Sequence, residues 1–181
     1  MDDYAYVLDY LMQGRASDHN FHKTPLVIII GETEFKFLEA IPRDNAILTV
    51  GDRVYIGKDQ AKREKISTVK RRIGYEELTA SAVSELPYTL ENIVKLQKDR
   101  YLKFFNDAQP ISPRMHSLEL LPGLGNKTMW SIIEEREKKL FDSFENLSER
   151  VKIHHPEKMI ANRIALELEN RNEKYKLFVK G

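Results

Sequence analysis

The most informative residues are a proline and two glycines in the run 121–128, which is LPGLGNKT and joins two patterns typical of short helices. Glycine tolerates positive φ angles and leaves the backbone bare, so a ligand can approach the amides closely. These amides would lie at the N-terminus of the second helix, where unpaired N–H groups and the helix dipole favour an anion. We therefore predict a phosphate-binding loop formed by Gly123, Leu124, Gly125, Asn126, Lys127 and Thr128.

The longer run 117–133 resembles the helix-hairpin-helix motif of polymerases, Holliday-junction proteins and DNA glycosylases, because the proline, both glycines, the apolar positions and Lys127 fall in register. The resemblance implies that Gly123 and Gly125 donate their amides to a phosphate. The alternative interpretation is an ordinary helical hairpin with a glycine cap. The resemblance also implies an optional monovalent cation at the backbone carbonyls of Glu119, Leu121 and Leu124.

A weaker copy of this pattern follows in residues 144–164. If its apolar positions are matched to those of the first copy, His155 and Glu157 take the two glycine places. Without glycines, and with a carboxylate at the mouth, this copy should bind phosphate poorly. Its expected role is to pack on the first hairpin as a pseudo-twofold partner.

Basic residues are concentrated between Arg53 and Arg72, where eight lysines and arginines accompany two acidic residues. Such a local surplus is an electrostatic footprint for phosphates, even on a chain with a net charge of +1. Tyr55 is the aromatic residue expected to stack on a base, although a core role is equally compatible with its position. The alternative is an ordinary solvated surface. The predicted contacts are Arg53, Tyr55, Lys58, Lys70, Arg71 and Arg72.

Residues 1–74 are predicted to form β structure, because short β-branched and aromatic runs alternate with turn signals. Five or six short strands favour a small antiparallel barrel of the oligonucleotide/oligosaccharide-binding (OB) type. A polar loop is expected over 13–23. The strands are expected at 4–11, 25–30, 35–41, 46–50, 53–56 and 66–73.

After the predicted strands, apolar residues recur three and four positions apart, which is typical of amphipathic helices. Helices are predicted over 76–86 and 90–105, separated by Pro87. Ser112 and Pro113 are predicted to cap and begin the next helix.

The helical pattern continues to about Leu168, and 175–179 could be a short strand or a frayed tail. The predicted fold class is therefore α+β. The expected domains are an OB-like barrel in 1–74, connecting helices in 75–111, a tandem helix-hairpin-helix domain in 112–171 and a tail in 172–181.

Composition restricts the classes of protein and of site. The absence of cysteine excludes disulfides, zinc fingers, iron–sulfur clusters and thiol nucleophiles. No run of about 18 apolar residues is present, so no membrane span is expected, and the acidic N-terminus is unlike a secretory signal. We therefore expect an intracellular, cytoplasmic protein without a cofactor.

An enzyme is not expected. The strongest enzymatic hypothesis is a DNA glycosylase, because Lys127 aligns with the catalytic lysine of some members that contain this hairpin. Those enzymes also need an aspartate in a particular downstream run, whereas Asp142 stands in a different pattern. His19 and His22 are interpreted as surface residues and not as a metal pair. Trp130 is interpreted as a core residue of the second hairpin helix.

Three runs, YAYVLDYL at 4–11, GDRVYIG at 51–57 and HSLELLPGLG at 116–125, together resemble the archaeal proteins grouped as domain of unknown function 655. The resemblance covers nearly the full length. It implies a barrel domain followed by helix-hairpin-helix units, and binding of nucleotides or RNA, without an established family activity.

A nucleic-acid-binding protein is the function predicted from these features. RNA is favoured, because such barrels favour unpaired strands. DNA binding in replication or repair is the alternative, since the hairpin motif is commoner on DNA-binding proteins. A third class is a scaffold that docks on a ribosome or an RNA polymerase through protein contacts.

Overall fold

The structure, a computed structural model, describes residues 1–16 and 23–180. The chain forms two compact units. Met1–Thr89 and the C-terminal residues from Phe178 form the first, and Leu90–Leu177 forms the second. The sequence placed the end of the β part at residue 74, whereas this division falls within a helix.

The first unit contains a curled five-stranded antiparallel sheet. Its strands are β1 (Tyr4–Leu11), β2 (Leu26–Gly31), β3 (Phe37–Pro42), β4 (Arg53–Tyr55) and β5 (Ile66–Ile73). Their spatial order is β4-β1-β2-β3-β5, so β4 and β5 lie at the two edges. The predicted antiparallel β structure is confirmed. A closed barrel is not confirmed, because no pairing joins β4 to β5 within 1–16 and 23–180.

Both faces of the central strand β2 are buried, which agrees with its unbroken apolar run. One face contributes Val7 and Ile29 to a hydrophobic cluster, and Ile28 and Ile30 on the other face are fully buried. Register shifts interrupt the pairing of β1 with β2 and of β3 with β5. Bulges of this kind increase local twist, which accounts for the curl.

The predicted strand at 46–50 is wrong, because this segment is a turn and irregular chain. Thr49 donates its N–H to Asp52 Oδ2 at 2.8 Å, and the Asp52 N–H donates to the Thr49 carbonyl at 3.0 Å. Leu48 is buried and Ile47 is exposed. Leu48 therefore packs into the core, but the apolar residues of this segment do not form one face of a strand.

Two helices follow, α1 (Ala80–Leu96) and α2 (Lys98–Asp107). The prediction that Pro87 separates two helices is wrong, since Pro87 lies inside α1 and the break comes at Gln97. A proline removes one hydrogen bond from a helix interior. Here Pro87 lies on the exposed side of α1, so the helix continues past it with its buried side still packed.

The second unit begins within α1. The prediction that Ser112 and Pro113 begin a helix is wrong, because Ser112 ends a short strand and Pro113 forms the following turn. The fixed φ of proline suits a turn as well as a first helical turn. After α2 the elements of this unit are β6 (Pro110–Ser112), β7 (Met115–His116), a 3₁₀ turn (Ser117–Leu120), α3 (Asn126–Lys138), α4 (Phe144–Val151) and α5 (Pro156–Glu169). Two further 3₁₀ turns, Gln60–Lys62 and Tyr75–Glu77, belong to the first unit.

Half-buried arginines join the helix ends of the second unit. Arg136 donates to the carbonyls of Phe105 and Ala108, at 3.1 and 2.8 Å, where α2 ends. Arg150 on α4 donates to the carbonyl of Lys139, the C-cap of α3, at 2.7 Å. These are carbonyls that a helix end leaves without an intrahelical donor.

Residues 175–179 have no regular secondary structure, so the alternative of a short strand is wrong. Buried Arg163 on α5 holds this tail, because its guanidinium donates to the Tyr175 carbonyl and to Glu173. None of the helices described is long and apolar enough to cross a membrane.

Candidate nucleic-acid interface

The loop between the 3₁₀ turn and α3 places the two glycines in an open turn. Gly123 has a φ of 85°, a conformation that suits glycine, and Leu124 donates its N–H to the Leu121 carbonyl at 3.2 Å. Gly125 has a φ of −82° and is the N-cap of α3, with no side-chain cap. A Cβ at Gly125 would meet no heavy atom within 4 Å beyond its chain neighbours. The start of α3 is therefore uncovered.

Three backbone donors point out of this uncovered end. The Met129 N–H donates to the Gly125 carbonyl at 3.0 Å, which begins the hydrogen bonding of α3. The preceding amides of Asn126, Lys127 and Thr128 belong to the first turn, which has no intrahelical acceptor, and they have no other acceptor among the residues described. Together with the dipole of α3, they form a donor set suited to an anion.

Lys127 adds an exposed positive charge to the same turn. Its side chain is exposed, and it has no ion-pair partner in the part of the chain that the structure describes. Exposed lysines without a carboxylate partner are available to neutralise a phosphate. The structure thus brings together the six predicted residues of the loop, from Gly123 to Thr128.

The predicted helix before the loop is a single 3₁₀ turn that His116 and Glu119 stabilise. The Leu118 N–H donates to His116 Nδ1 at 3.1 Å, and the His116 N–H donates to Glu119 Oε2 at 2.6 Å. Burial, and then the positive charge of Arg136, lower the pKa of His116 below its usual value, while Glu119 opposes this. Sequence reasoning missed His116, because the capping-box signal expects Ser, Thr, Asp or Asn three positions before the glutamate and not a histidine.

The second hairpin, from α4 to α5, has a different opening. His155 has a φ of 52° and is the N-cap of α5, so its backbone is left-handed like that of Gly123. Glu157, however, lies inside the first turn of α5, whereas Gly125 is the N-cap of α3. The predicted match of Glu157 to the second glycine place is therefore wrong, because His155 is the residue that takes the N-cap position. A groove of about 370 Å³ at this turn is lined by Glu145, Glu149 and Glu157 together with His154 and His155. Carboxylates at this opening repel a phosphate.

The basic surface of the first unit is partly neutralised by ion pairs. Arg53 donates to both carboxylate oxygens of Glu32 at 2.9 Å, and its guanidinium lies 3.7 Å from the centre of the Tyr4 ring. Hydrogen bonding to Glu32 is the main cause that raises the pKa of Arg53. Arg53 is therefore held by the sheet.

Arg71 belongs to a second network around the buried carboxylate of Glu39, which is 1% exposed. Arg71 donates to Glu39 at 2.9 Å and to Glu77 at 2.8 Å, and Arg15 also donates to Glu39. Hydrogen bonds, first to Glu77 and then to Glu39, raise the pKa of Arg71. The charge of Arg71 is thus already balanced within the unit.

Tyr55 packs edge-on against Tyr4, with ring centres 5.3 Å apart, and its hydroxyl accepts the Asp59 N–H at 3.4 Å. It is half-buried, so its ring is engaged within the unit. The remaining predicted contacts of this surface are exposed and have no carboxylate partner within 1–16 and 23–180; they are Lys58, Lys70 and Arg72.

The prediction that Trp130 is a core residue is wrong, because its side chain is 58% exposed. Successive residues of a helix point about 100° apart, and Met129 and Ile132 are the residues of α3 that are buried. Trp130 is thereby turned toward solvent. The indole is instead available beside the N-terminus of α3.

The described part of the chain has no candidate metal site, because no group of three or more acidic or histidine side chains there could hold an ion. His19 and His22 lie outside the described residues. Of the carbonyls implied for an optional monovalent cation, that of Leu121 accepts the Leu124 N–H. That of Glu119 belongs to the preceding 3₁₀ turn and that of Leu124 to the loop.

Comparison with known families decides the relationship of the chain. The model of the family described as "Protein of unknown function (DUF655)" matches residues 1–180. The chain belongs to the DUF655 family. The resemblance inferred from three sequence runs is thereby confirmed.

This DUF655 protein has archaeal relatives. It is 47% identical over 180 residues to the uncharacterized protein MJ0038 of Methanocaldococcus jannaschii, a match that covers 99% of this chain and 80% of the relative. It is also similar to the crystal structure of Af1531 from Archaeoglobus fulgidus, with a TM-score of 0.92 and 47% identity, covering 99% of this chain and 100% of that chain. The mixed α and β architecture is thus shared with the structure of Af1531.

Proposed function

We propose that this protein binds nucleic acid through phosphate contacts at the N-terminus of α3, and that it does so without catalysing a reaction. The observation that carries the proposal is the set of three N–H groups, at Asn126, Lys127 and Thr128, that have no acceptor among the residues described. A phosphate oxygen accepts such hydrogen bonds strongly, because the acceptor is charged and because the positive end of the helix dipole lies at these amides.

The two glycines support this proposal for different reasons. Gly123 lets the chain turn through a left-handed conformation, and Gly125 keeps the N-cap free of a side chain that would occupy the amides. A serine or an aspartate at the N-cap would ordinarily take that place. An uncapped start next to an exposed Lys127 is consistent with an external anion as the missing acceptor.

RNA is the proposed ligand in preference to DNA, with DNA as the alternative. The finer architecture that we propose is an OB-like sheet, open between β4 and β5, followed by an intact and a degenerate helix-hairpin-helix unit. Sheets of this kind hold unpaired strands on a positively charged face. Lys58, Lys70 and Arg72 are the exposed cations proposed to contact the backbone there, with Arg53, Tyr55 and Arg71 in supporting positions.

A second candidate function is a scaffold that docks on a ribosome or an RNA polymerase. The acidic groove at Glu145, Glu149 and Glu157 favours it, since this surface suits a basic protein segment better than a phosphate. The two functions are compatible, because the groove and the α3 loop belong to different hairpins.

The test of the proposal is a pair of substitutions at Gly125, measured by fluorescence anisotropy on labelled single-stranded RNA. In Gly125→Asn the side chain takes the open amides, and in Gly125→Asp it also adds a repelling charge. We expect affinity to fall in the order wild type, Asn, Asp, with a loss for Asp of about 1–3 kcal/mol. Since both residues are favoured N-caps, the thermal midpoint should not fall, so weaker binding cannot be attributed to unfolding.

The matched control lies in the second hairpin. Glu157→Gln removes a carboxylate from the first turn of α5, and we expect unchanged or slightly stronger binding. The proposal is wrong if Glu157→Gln abolishes binding while Gly125→Asp has no effect, because the second hairpin would then hold the phosphate.

A further inference from the structure

A shallow groove lies in the second unit beside the uncovered start of α3. Its volume is about 220 Å³, and it is bounded by the β6–β7 hairpin on one side and by the first turn of α3 on the other. The proposed phosphate site does not use it. It is lined by Pro110, Ser112, Pro113, Arg114, Met115, His116, Glu119, Asn126, Met129 and Trp130.

Trp130 is the unusual member of this lining. It is the only tryptophan in the chain, and 58% of its side-chain surface is exposed although tryptophan is highly buried on average. An exposed indole is a large, rigid and flat surface, and bases stack on such surfaces in proteins that bind single strands. The position of Trp130, one turn from the open amides, suits such a contact.

Arg114 supplies a second planar group at the other wall. Its side chain is exposed in the turn between β6 and β7, and its guanidinium has no hydrogen-bond or ion-pair partner among the residues described. Guanidinium planes stack on bases and also pair with phosphates. A planar ligand between Trp130 and Arg114 would contact an aromatic face and a cation together.

His116 adds a polar group to the lining of the groove. Its side chain is 9% exposed, and its Nδ1 accepts the Leu118 N–H. The proton of the neutral ring therefore lies on Nε2, which makes that nitrogen a donor. Burial and Arg136 lower the pKa of this ring, so the neutral form with this donor is favoured.

The size of the groove selects a small ligand. Pockets that enclose drug-sized molecules measure about 300–1,000 Å³, whereas this groove measures about 220 Å³. Prolines and methionines supply its apolar walls. One planar ring system with polar edges fits this lining better than a longer molecule does.

We infer that the groove holds one unpaired nucleobase, stacked on Trp130, while the adjoining phosphate lies at the amides of α3. The inference rests on the proposed function and adds a base contact to it. Asn126 links the two places, because it lines the groove and also carries one of the open N–H groups. Paired bases inside a duplex do not expose their faces, so the occupant comes from a single strand or an unpaired end.

The experiment uses the full chain and two unlabelled RNA probes, a twelve-residue oligouridylate and the same sugar-phosphate chain without bases. Stacking of uracil should quench the fluorescence of Trp130, the chain's only tryptophan, and the abasic chain should leave it unchanged. Competition against a labelled oligomer measures affinity separately. The oligouridylate should bind more tightly, by about 5- to 150-fold per stacked base.

Substitutions then assign the effect to the ring. Trp130→Ala should weaken binding of the oligouridylate by the same factor and leave binding of the abasic chain unchanged, while Trp130→Phe should recover most of the affinity. Leu140→Ala is the matched control, because Leu140 is 59% exposed in the same unit. It should bind like the wild type.

The outcomes separate this inference from the proposed function. If both probes bind equally and without quenching, the base site is wrong and phosphate binding stands. If Trp130→Ala weakens both probes alike, Trp130 does not contact a base and the inference is overturned. If neither probe binds at micromolar protein, the proposed function fails and the base site fails with it.

Discussion

Gly123 and Gly125 are two residues of one motif, but their backbones differ in what they require. The φ of 85° at Gly123 is strained for any other residue, whereas the φ of −82° at Gly125 is open to all of them. Gly125 is therefore needed for the absence of a side chain and not for its conformational freedom. The sequence predicts both glycines as a pair, and only the φ angles distinguish their roles.

His116 is expected to make the stability of the protein depend on pH. Its pKa is lowered in the folded state, first by burial and then by Arg136, relative to about 6.5 in an unfolded chain. The unfolded state thus binds more protons once the pH falls below that value. The contribution of His116 to the stability of the folded state is complete above about pH 6.5 and is lost as the pH falls through its folded pKa.

Urea unfolding at about pH 7.5 and 5.5 checks this expectation. Asparagine can accept the Leu118 N–H but does not titrate, so His116→Asn should lose less stability between the two pH values than the wild type does. His154→Asn, at an exposed histidine, is the control and should follow the wild type. Equal losses in the wild type and in His116→Asn would contradict the assignment.

At the scale of elements, the sequence predicts strands best where their pattern is local and uniform. The bounds of β1 and β5 agree with prediction, because each is a β-rich run between turn signals. The errors at 46–50, Pro87 and Ser112 share a cause. In each case the local signal suits two structures, and distant contacts with the sheet or the buried side of a helix decide between them.

The buried arginine of α5 shows what local patterns miss. Arg163 and Glu167 are 4% and 1% exposed and pair at 3.2 Å on one side of the helix. Their spacing of four residues is also that of an ordinary surface pair. Arg163 is buried because it contacts the C-terminal tail and the Leu120 carbonyl, to which it also donates. Neither of these partners is close to Arg163 in sequence.

Arg163→Met is expected to lower the free energy of unfolding by about 3–5 kcal/mol, because it removes the guanidinium that faces the buried Glu167 carboxylate. Adding Glu167→Leu should recover part of the loss. Arg114→Met, at an exposed arginine, should change stability by less than about 0.5 kcal/mol. Urea denaturation measures all three, and a double variant less stable than Arg163→Met would refute this explanation.

For the whole molecule, the number of charged residues says less about which cations are available to a ligand than their ion pairs do. The chain has 29 basic and 28 acidic residues, and the surplus between Arg53 and Arg72 is visible in the sequence. The partners Glu32 and Glu39, however, come from other parts of the sheet, 21 and 32 residues away from the arginines that they bind. The cations that remain without a carboxylate partner in the described chain include Lys58, Lys70, Arg72, Arg114 and Lys127.

The salt dependence of nucleic-acid affinity tests most directly whether these open cations and amides bind a phosphate backbone. Fluorescence anisotropy of the wild-type chain with single-stranded RNA, across a series of salt concentrations, should give a log–log slope of roughly −2 to −4, as expected for three to six neutralised phosphates on a single strand. Lys127→Gln should reduce that slope by about one. A flat response, or no binding at micromolar protein, would contradict the account and favour the protein scaffold.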